Sequence, residues 1–146
     1  MDIILLAETE KRRALQELVA KAPSLSSFDQ AKLLKAIWRR ERIQSTALGH
    51  GVAVPNPHVR DIDHVRVVLG LSKDGIAYDS PDGRPVHLLF LVISNQKLQD
   101  AYLNTLRTIL SFARQSEVRS LLDNWEEGKW GWLEEISIKN FAKIPF

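Results

Sequence analysis

The 146-residue chain has no cysteine, one methionine, seven glycines and six prolines. Without cysteine there can be no disulfide scaffold, thiolate zinc site, thiol nucleophile or iron–sulfur cluster. Long apolar runs are missing as well. The longest, Leu88 to Ile93, has six residues, against the ~20 needed to cross a bilayer. Neither sign of charge dominates: 20 Lys+Arg against 18 Asp+Glu leave a net charge of +2. Such a weak field argues against a nucleic-acid-binding face. Met1-Asp2 precedes only a short apolar stretch, Ile3 to Leu6 with Ala7 after it, before the charged stretch Glu8 to Arg13. No targeting segment is therefore expected, and the reading is a soluble, cytoplasmic protein without membrane insertion. No internal repeat, low-complexity stretch or flexible linker interrupts the chain. The length predicts one domain over 1–146, burying roughly two-thirds of its unfolded surface without a metal or disulfide staple.

What is present alternates between helical and strand periodicity. Thr9 is a candidate N-cap for a helix through about Lys21, with Leu15, Leu18 and Val19 on one face. Ala22-Pro23 closes it, because the residue before proline avoids helical dihedrals. Ser27 and Gln30 form a candidate capping box for a second helix ending in the charged turn Arg39 to Arg42. Val52-Ala53-Val54, Val65–Leu71 and Val86–Ile93 read as strands, the last apolar enough to be covered on both faces. Ser80-Pro81-Asp82-Gly83 carries turn chemistry. From Leu98 the helical period returns through Ala113, and Ser116 is a candidate N-cap for a further short helix. Trp125, Trp130 and Trp132 crowd the tail; packing of the last helix is the favoured reading, a homodimer interface the alternative. The succession predicts a single α/β domain, a mixed sheet with helices around it.

A scan for chemistry first yields rejections. Gly49-His50-Gly51 begins like a dinucleotide fingerprint, but Val54 stands where its third glycine belongs. There is no phosphate-cradling loop, paired-histidine zinc helix or serine elbow. His58, Asp61, Asp63 and His64 lie close enough to suggest metal ligands, yet lack helix or hairpin spacing and read as a solvated loop. No metal and no cofactor are expected. His87 lies inside an apolar strand and reads as packed. The basic turn Arg39 to Arg42 reads as a solvated helix end or an anion site.

Arg40-Glu41-Arg42-Ile43-Gln44-Ser45-Thr46-Ala47-Leu48-Gly49-His50-Gly51-Val52-Ala53-Val54-Pro55 shifts that balance. With the blocks Ile76 to Leu91 and Tyr102-Leu103-Asn104-Thr105-Leu106, it resembles the type 2 enzyme IIA domain of the bacterial phosphoenolpyruvate-dependent sugar phosphotransferase system (PTS). That group includes fructose/mannitol-specific and nitrogen-regulatory members. The resemblance covers about residues 3–136 and implies a roughly five-stranded mixed sheet wrapped by helices. It also implies a phosphoryl group carried on a histidine, received from a small phosphocarrier protein (HPr-like). Such an acceptor must be a neutral imidazole, available near pH 7 because its unperturbed pKa is ~6.5. Nearby donors must offset the phosphoryl charge. In the family, an arginine at the position of Arg40 and a second histidine on the long helix do so.

Two positions depart from this pattern. Where the resemblance puts the phosphorylated histidine stands Asn56, and where it puts the second histidine stands Tyr102. A carboxamide nitrogen has a delocalised lone pair and is no nucleophile. Arg40, Ser45 and Thr46 remain as anion- or phosphoryl-binding candidates. The first expectation is a degenerate, regulatory domain acting by contact with the phosphocarrier protein, a regulated kinase or a transporter. A second is an active phosphocarrier using His58, two residues beyond Asn56, which would need the loop displaced by about 6–7 Å. His50 is a further candidate, but it precedes the strand and should point elsewhere. A third is a binding module in which Arg40, Ser45, Thr46 and Asn56 hold a small anion or phosphorylated ligand.

Overall fold

The strand Val86–Ile93 is buried along its whole length, as expected of an apolar run without alternation. The computed structural model describes residues 1–141; the last five residues of the expected domain lie outside them. In chain order the elements are β1 (Asp2–Leu6), α1 (Lys11–Lys21), α2 (Gln30–Ile43), β2 (Ala47–Gly49), β3 (Val52–Ala53) and β4 (Arg66–Ile76). Then follow β5 (Val86–Ile93), α3 (Gln99–Arg114), α4 (Ser116–Asp123) and α5 (Trp130–Phe141). The sheet has five strands in the order β1-β4-β5-β3-β2. It is mixed: β1–β4 and β3–β5 are parallel, β4–β5 and β2–β3 antiparallel.

The period-2 alternation of β4 and β5 sorts the core into two layers. Val68, Leu89, Leu91 and Ile93 face α1 and α2, where they meet Leu15, Leu18, Leu33 and Ile37. Val67, Leu69, Leu88, Phe90 and Val92 face α3, α4 and α5, where they meet Ile109, Phe112, Val118, Leu121 and Leu133. Phe90, Phe112 and Phe141 close the second layer with edge-on ring contacts. Gly70 faces the first layer. A Cβ there would come within 2.6 Å of Leu6 Cδ1 and 3.2 Å of Leu18 Cδ1, so the close approach of β1 and α1 needs its missing side chain.

Three helix starts differ from the expected caps. Glu10, not Thr9, caps α1, its carboxylate accepting from the Arg12 and Arg13 amides. The Thr9 carbonyl accepts from Ala77 N at 2.9 Å, and Glu10 pairs with Ala77 as an isolated bridge. That pairing keeps both residues extended and delays the helix. Asp29, not Ser27, caps α2 by accepting from Lys32 N at 3.1 Å. Ser27 is still part of the turn that follows the short 3₁₀ segment Pro23–Leu25, with Phe28 N donating to Leu25 O. Ser116 is the first residue of α4, and Gln115 precedes it without a side-chain cap. Ala22 closes α1 as expected, and Gly83 N donates to Ser80 O to close the expected turn. β1, β2 and α5 carry too little periodicity of their own to be placed from sequence; β2 and β3 have three and two residues.

β4 runs beyond the expected Leu71 and is deformed there. Four residues, Ser72 to Gly75, stand opposite the single residue His87. The His87 and Leu88 amides both donate to Gly51 O, at 2.9 and 3.0 Å, so β5 bulges there. The bulge turns His87 toward Trp125, whose ring stacks on it at 4.2 Å. Trp130 packs edge-on against Trp125, and Trp132 remains largely exposed. Two of the three tail tryptophans thus pack, as favoured. No helix among the described residues is long and apolar enough to cross a membrane.

Candidate functional site

The site forms where α2 hands the chain to the short strands beside β5. Arg40 lies in the last turn of α2. Its Nε donates to Asn56 Oδ1 at 3.0 Å and its Nη1 to the Gln44 carbonyl at 3.0 Å. Asn56 Nδ2 donates to Val54 O at 2.9 Å. Chemistry settles the orientation of this amide, because a guanidinium only donates and a carbonyl only accepts. The flanking prolines lack N–H groups, yet their carbonyls are used: Pro55 O accepts from Val92 N at 2.9 Å and Pro57 O from Ser94 N at 3.2 Å. The loop is thereby clamped along β5, with Asn56 half-buried between two fixed residues.

Beneath Arg40 lies a network that sequence reasoning missed. Glu41 Oε1 accepts from Tyr78 Oη at 2.9 Å and also bonds the Thr46 hydroxyl, while its Oε2 accepts from Thr46 N at 3.3 Å. Lys11 Nζ lies 2.9 Å from Glu41 Oε2 and 4.5 Å from the centre of the Tyr78 ring. Ser45 Oγ donates to Tyr78 O at 3.1 Å and accepts from Ala47 N at 3.3 Å. Ser45 and Thr46, predicted as anion ligands, thus have partners within the protein. Burial, and then the Glu41 carboxylate, push the Tyr78 phenol well above its ordinary range, so it stays a donor. The available signal was the Arg40-Glu41 pair itself; the Glu41 partner Tyr78 lies 37 positions away.

Tyr102, near the start of α3, is half-buried. Burial raises its pKa, and the Arg40 charge pulls it back in part. Arg40 thus bonds Asn56 directly and reaches Tyr102 only through its charge. The histidines lie elsewhere. His58 is exposed and lines a cleft with Arg39 on the other side of α2's last turn. His50 has φ 53° between two glycines of positive φ, and its Nδ1 lies 2.9 Å from Asp123 Oδ1, so it points toward the end of α4. The Asp82 carboxylate accepts from the His50 amide at 2.8 Å, which holds that carboxyl below the usual range. His87 is buried, 3% exposed, and its Nδ1–H donates to Ser72 O at 2.7 Å. Burial lowers its pKa. His64 bonds its neighbour Asp63, and no three His, Asp or Glu side chains converge as a metal site among the described residues.

Residues 2–128 match the family described as phosphoenolpyruvate-dependent sugar phosphotransferase system, EIIA 2. The chain belongs to this family. It is 31% identical over 114 residues to a fructose-specific EIIABC component of Bacillus subtilis, covering 77% of this chain but only 18% of that protein. It is 29% identical over 117 residues to a nitrogen regulatory protein of Bradyrhizobium diazoefficiens, covering 80% and 76% of the two chains. The nitrogen regulatory protein IIA-Ntr of Neisseria meningitidis has the same fold: TM-score 0.74 at 22% identity, covering 92% of this chain and 90% of that one. So has the mannitol IIA of Escherichia coli solved in complex with phosphorylated enzyme IIB, with TM-score 0.70 at 15% identity and coverage of 98% and 95%.

In this EIIA type 2 domain the site offers a positioned guanidinium, a carboxamide bonded to it and a phenol under the same charge. These groups can bind and orient. None of them is a nucleophile toward phosphorus at neutral pH: the amide lone pair is delocalised, and burial makes the phenol harder to ionise.

Proposed function

We propose that the chain is a regulatory EIIA type 2 domain that acts by binding other proteins and carries no phosphohistidine. The observation that carries this reading is the Asn56 amide, which bridges Arg40 Nε and the Val54 carbonyl. Asn56 takes the place of the family's phosphorylated histidine, and Tyr102 that of its second one. The surface supports a protein partner. Ile43, Leu48 and Leu103, which sit beside the site residues in sequence, are large apolar side chains exposed by 78%, 47% and 45%. The partner is a phosphocarrier protein, a kinase or a transporter, met in the cytoplasm. Incubation with phosphoenolpyruvate, enzyme I and phosphocarrier protein tests the reading. No acid-labile phosphate on the protein is expected, and stoichiometric label would overturn it.

One observation favours a second reading, an active phosphocarrier using His58. That imidazole is exposed and shares its cleft with Arg39 and Lys35, cations able to offset a phosphoryl charge. Under this reading the wild type is labelled and His58→Ala abolishes the label; label that survives His58→Ala rules it out.

A further inference from the structure

A cleft of about 580 Å³ opens between α2 and the 58–62 loop. It has the size of a small-molecule site. One wall is α2, with Lys32, Lys35 and Arg39; the other carries Arg60 on the loop and Arg66 at the start of β4. Two carboxylates, Asp29 and Asp61, share the lining, and Asp29 is engaged in capping α2. None of the five cations forms a salt bridge among the described residues. In a chain whose net charge is only +2, this is a strong local excess of positive charge, and the low-dielectric walls of a cleft focus its field.

Arg66 adds preorganisation. Its guanidinium lies 5.6 Å from the Phe28 ring centre, and its Nη1 reaches the Ser24 carbonyl at 3.4 Å. Its Nε is buried without a hydrogen-bond partner. The side chain is held in place by a strand and an aromatic face, with donor capacity unspent. Arg40 does not share the cleft; it is bonded to Asn56 and Gln44.

We infer that this cleft binds a small ligand carrying two or more phosphate groups. Cations on opposite walls need more than one anionic centre to satisfy them, and guanidinium forks match phosphate oxygens. Val59 and Ile62, both half-buried, supply apolar surface for the ligand's organic part. The inference does not depend on whether any histidine is phosphorylated.

Titration of the isotopically labelled protein at about 150 mM salt, followed by heteronuclear NMR, tests it with two probes, inorganic pyrophosphate and ADP. The expected result is saturable binding of at least one probe, with amide shifts centred on Lys35, Arg39 and Arg60. Binding of pyrophosphate assigns the phosphates as sufficient; binding of ADP alone assigns a role to the organic part. The double variant Lys35→Gln/Arg39→Gln, at positions on the helix surface, should weaken binding at least tenfold, and Arg107→Gln on α3 should not. No saturable binding of either probe at 5 mM would overturn the inference. So would shifts confined to Ser45–Asn56, or affinity unchanged in the double variant.

Discussion

At the scale of single residues, Arg40 organises the site through two of its five donors: one goes to the Asn56 carboxamide, one to the Gln44 carbonyl. Glu41 organises what lies beneath. Its side chain is only 5% exposed and is neutralised by Lys11, with Tyr78 and Thr46 completing its hydrogen bonds. Removing one donor to a buried carboxylate leaves acceptor capacity unpaired. Tyr78→Phe should therefore cost about 1–3 kcal/mol, read as a lower urea midpoint with unchanged slope. His87 makes a second prediction, about pH. Its imidazole is buried and its pKa depressed, while in the unfolded chain it titrates at about 6.5. Below that value the unfolded state binds the proton that the folded state refuses, so stability must fall as pH falls. Above it the two states agree and nothing is lost. The urea midpoint should drop between pH 7 and pH 5, and His87→Gln should flatten that drop. Equal drops in both proteins would show that His87 does not contribute.

At the scale of elements, close packing explains positions that periodicity leaves blank. Gly70 lets α1 and β1 approach β4 on one face, and a methyl group there must displace Leu6. Gly70→Ala is expected to destabilise by about 1–3 kcal/mol through overpacking, measurable by chemical denaturation; a neutral result would mean that β1 shifts freely. The long elements were legible in the sequence because pattern alone defines them: β5 by its apolar run, α1, α2 and α3 by their spacing. Caps were not, because tertiary pairing decides them, as the bond from Ala77 N to the Thr9 carbonyl does for α1. The site was half legible. Arg40, Asn56 and Tyr102 stand in recognisable blocks. Ser45 and Thr46 stand there too, but their engagement with Tyr78 and Glu41 depends on contacts across 33 and five positions that no local pattern announces.

At the scale of the whole molecule, helices on both faces of the mixed sheet bring the end of α2 and the loop after β3 side by side. On one side of α2's last turn Arg40 holds Asn56; on the other Arg39 faces the cationic cleft with His58. Adjacent residues of one helix thus serve two surfaces, as the ~100° step per residue requires. We propose that the family scaffold persists here without its phosphoryl acceptor. Asn56→His would set an imidazole beside Arg40, able to donate one N–H to the Val54 carbonyl and present the other nitrogen. The decisive measurement is acid-labile phosphate on wild type and Asn56→His side by side, with phosphoenolpyruvate, enzyme I and phosphocarrier protein. Label is expected on the variant and none on the wild type; equal label on both would show that the wild type keeps a phosphoryl acceptor.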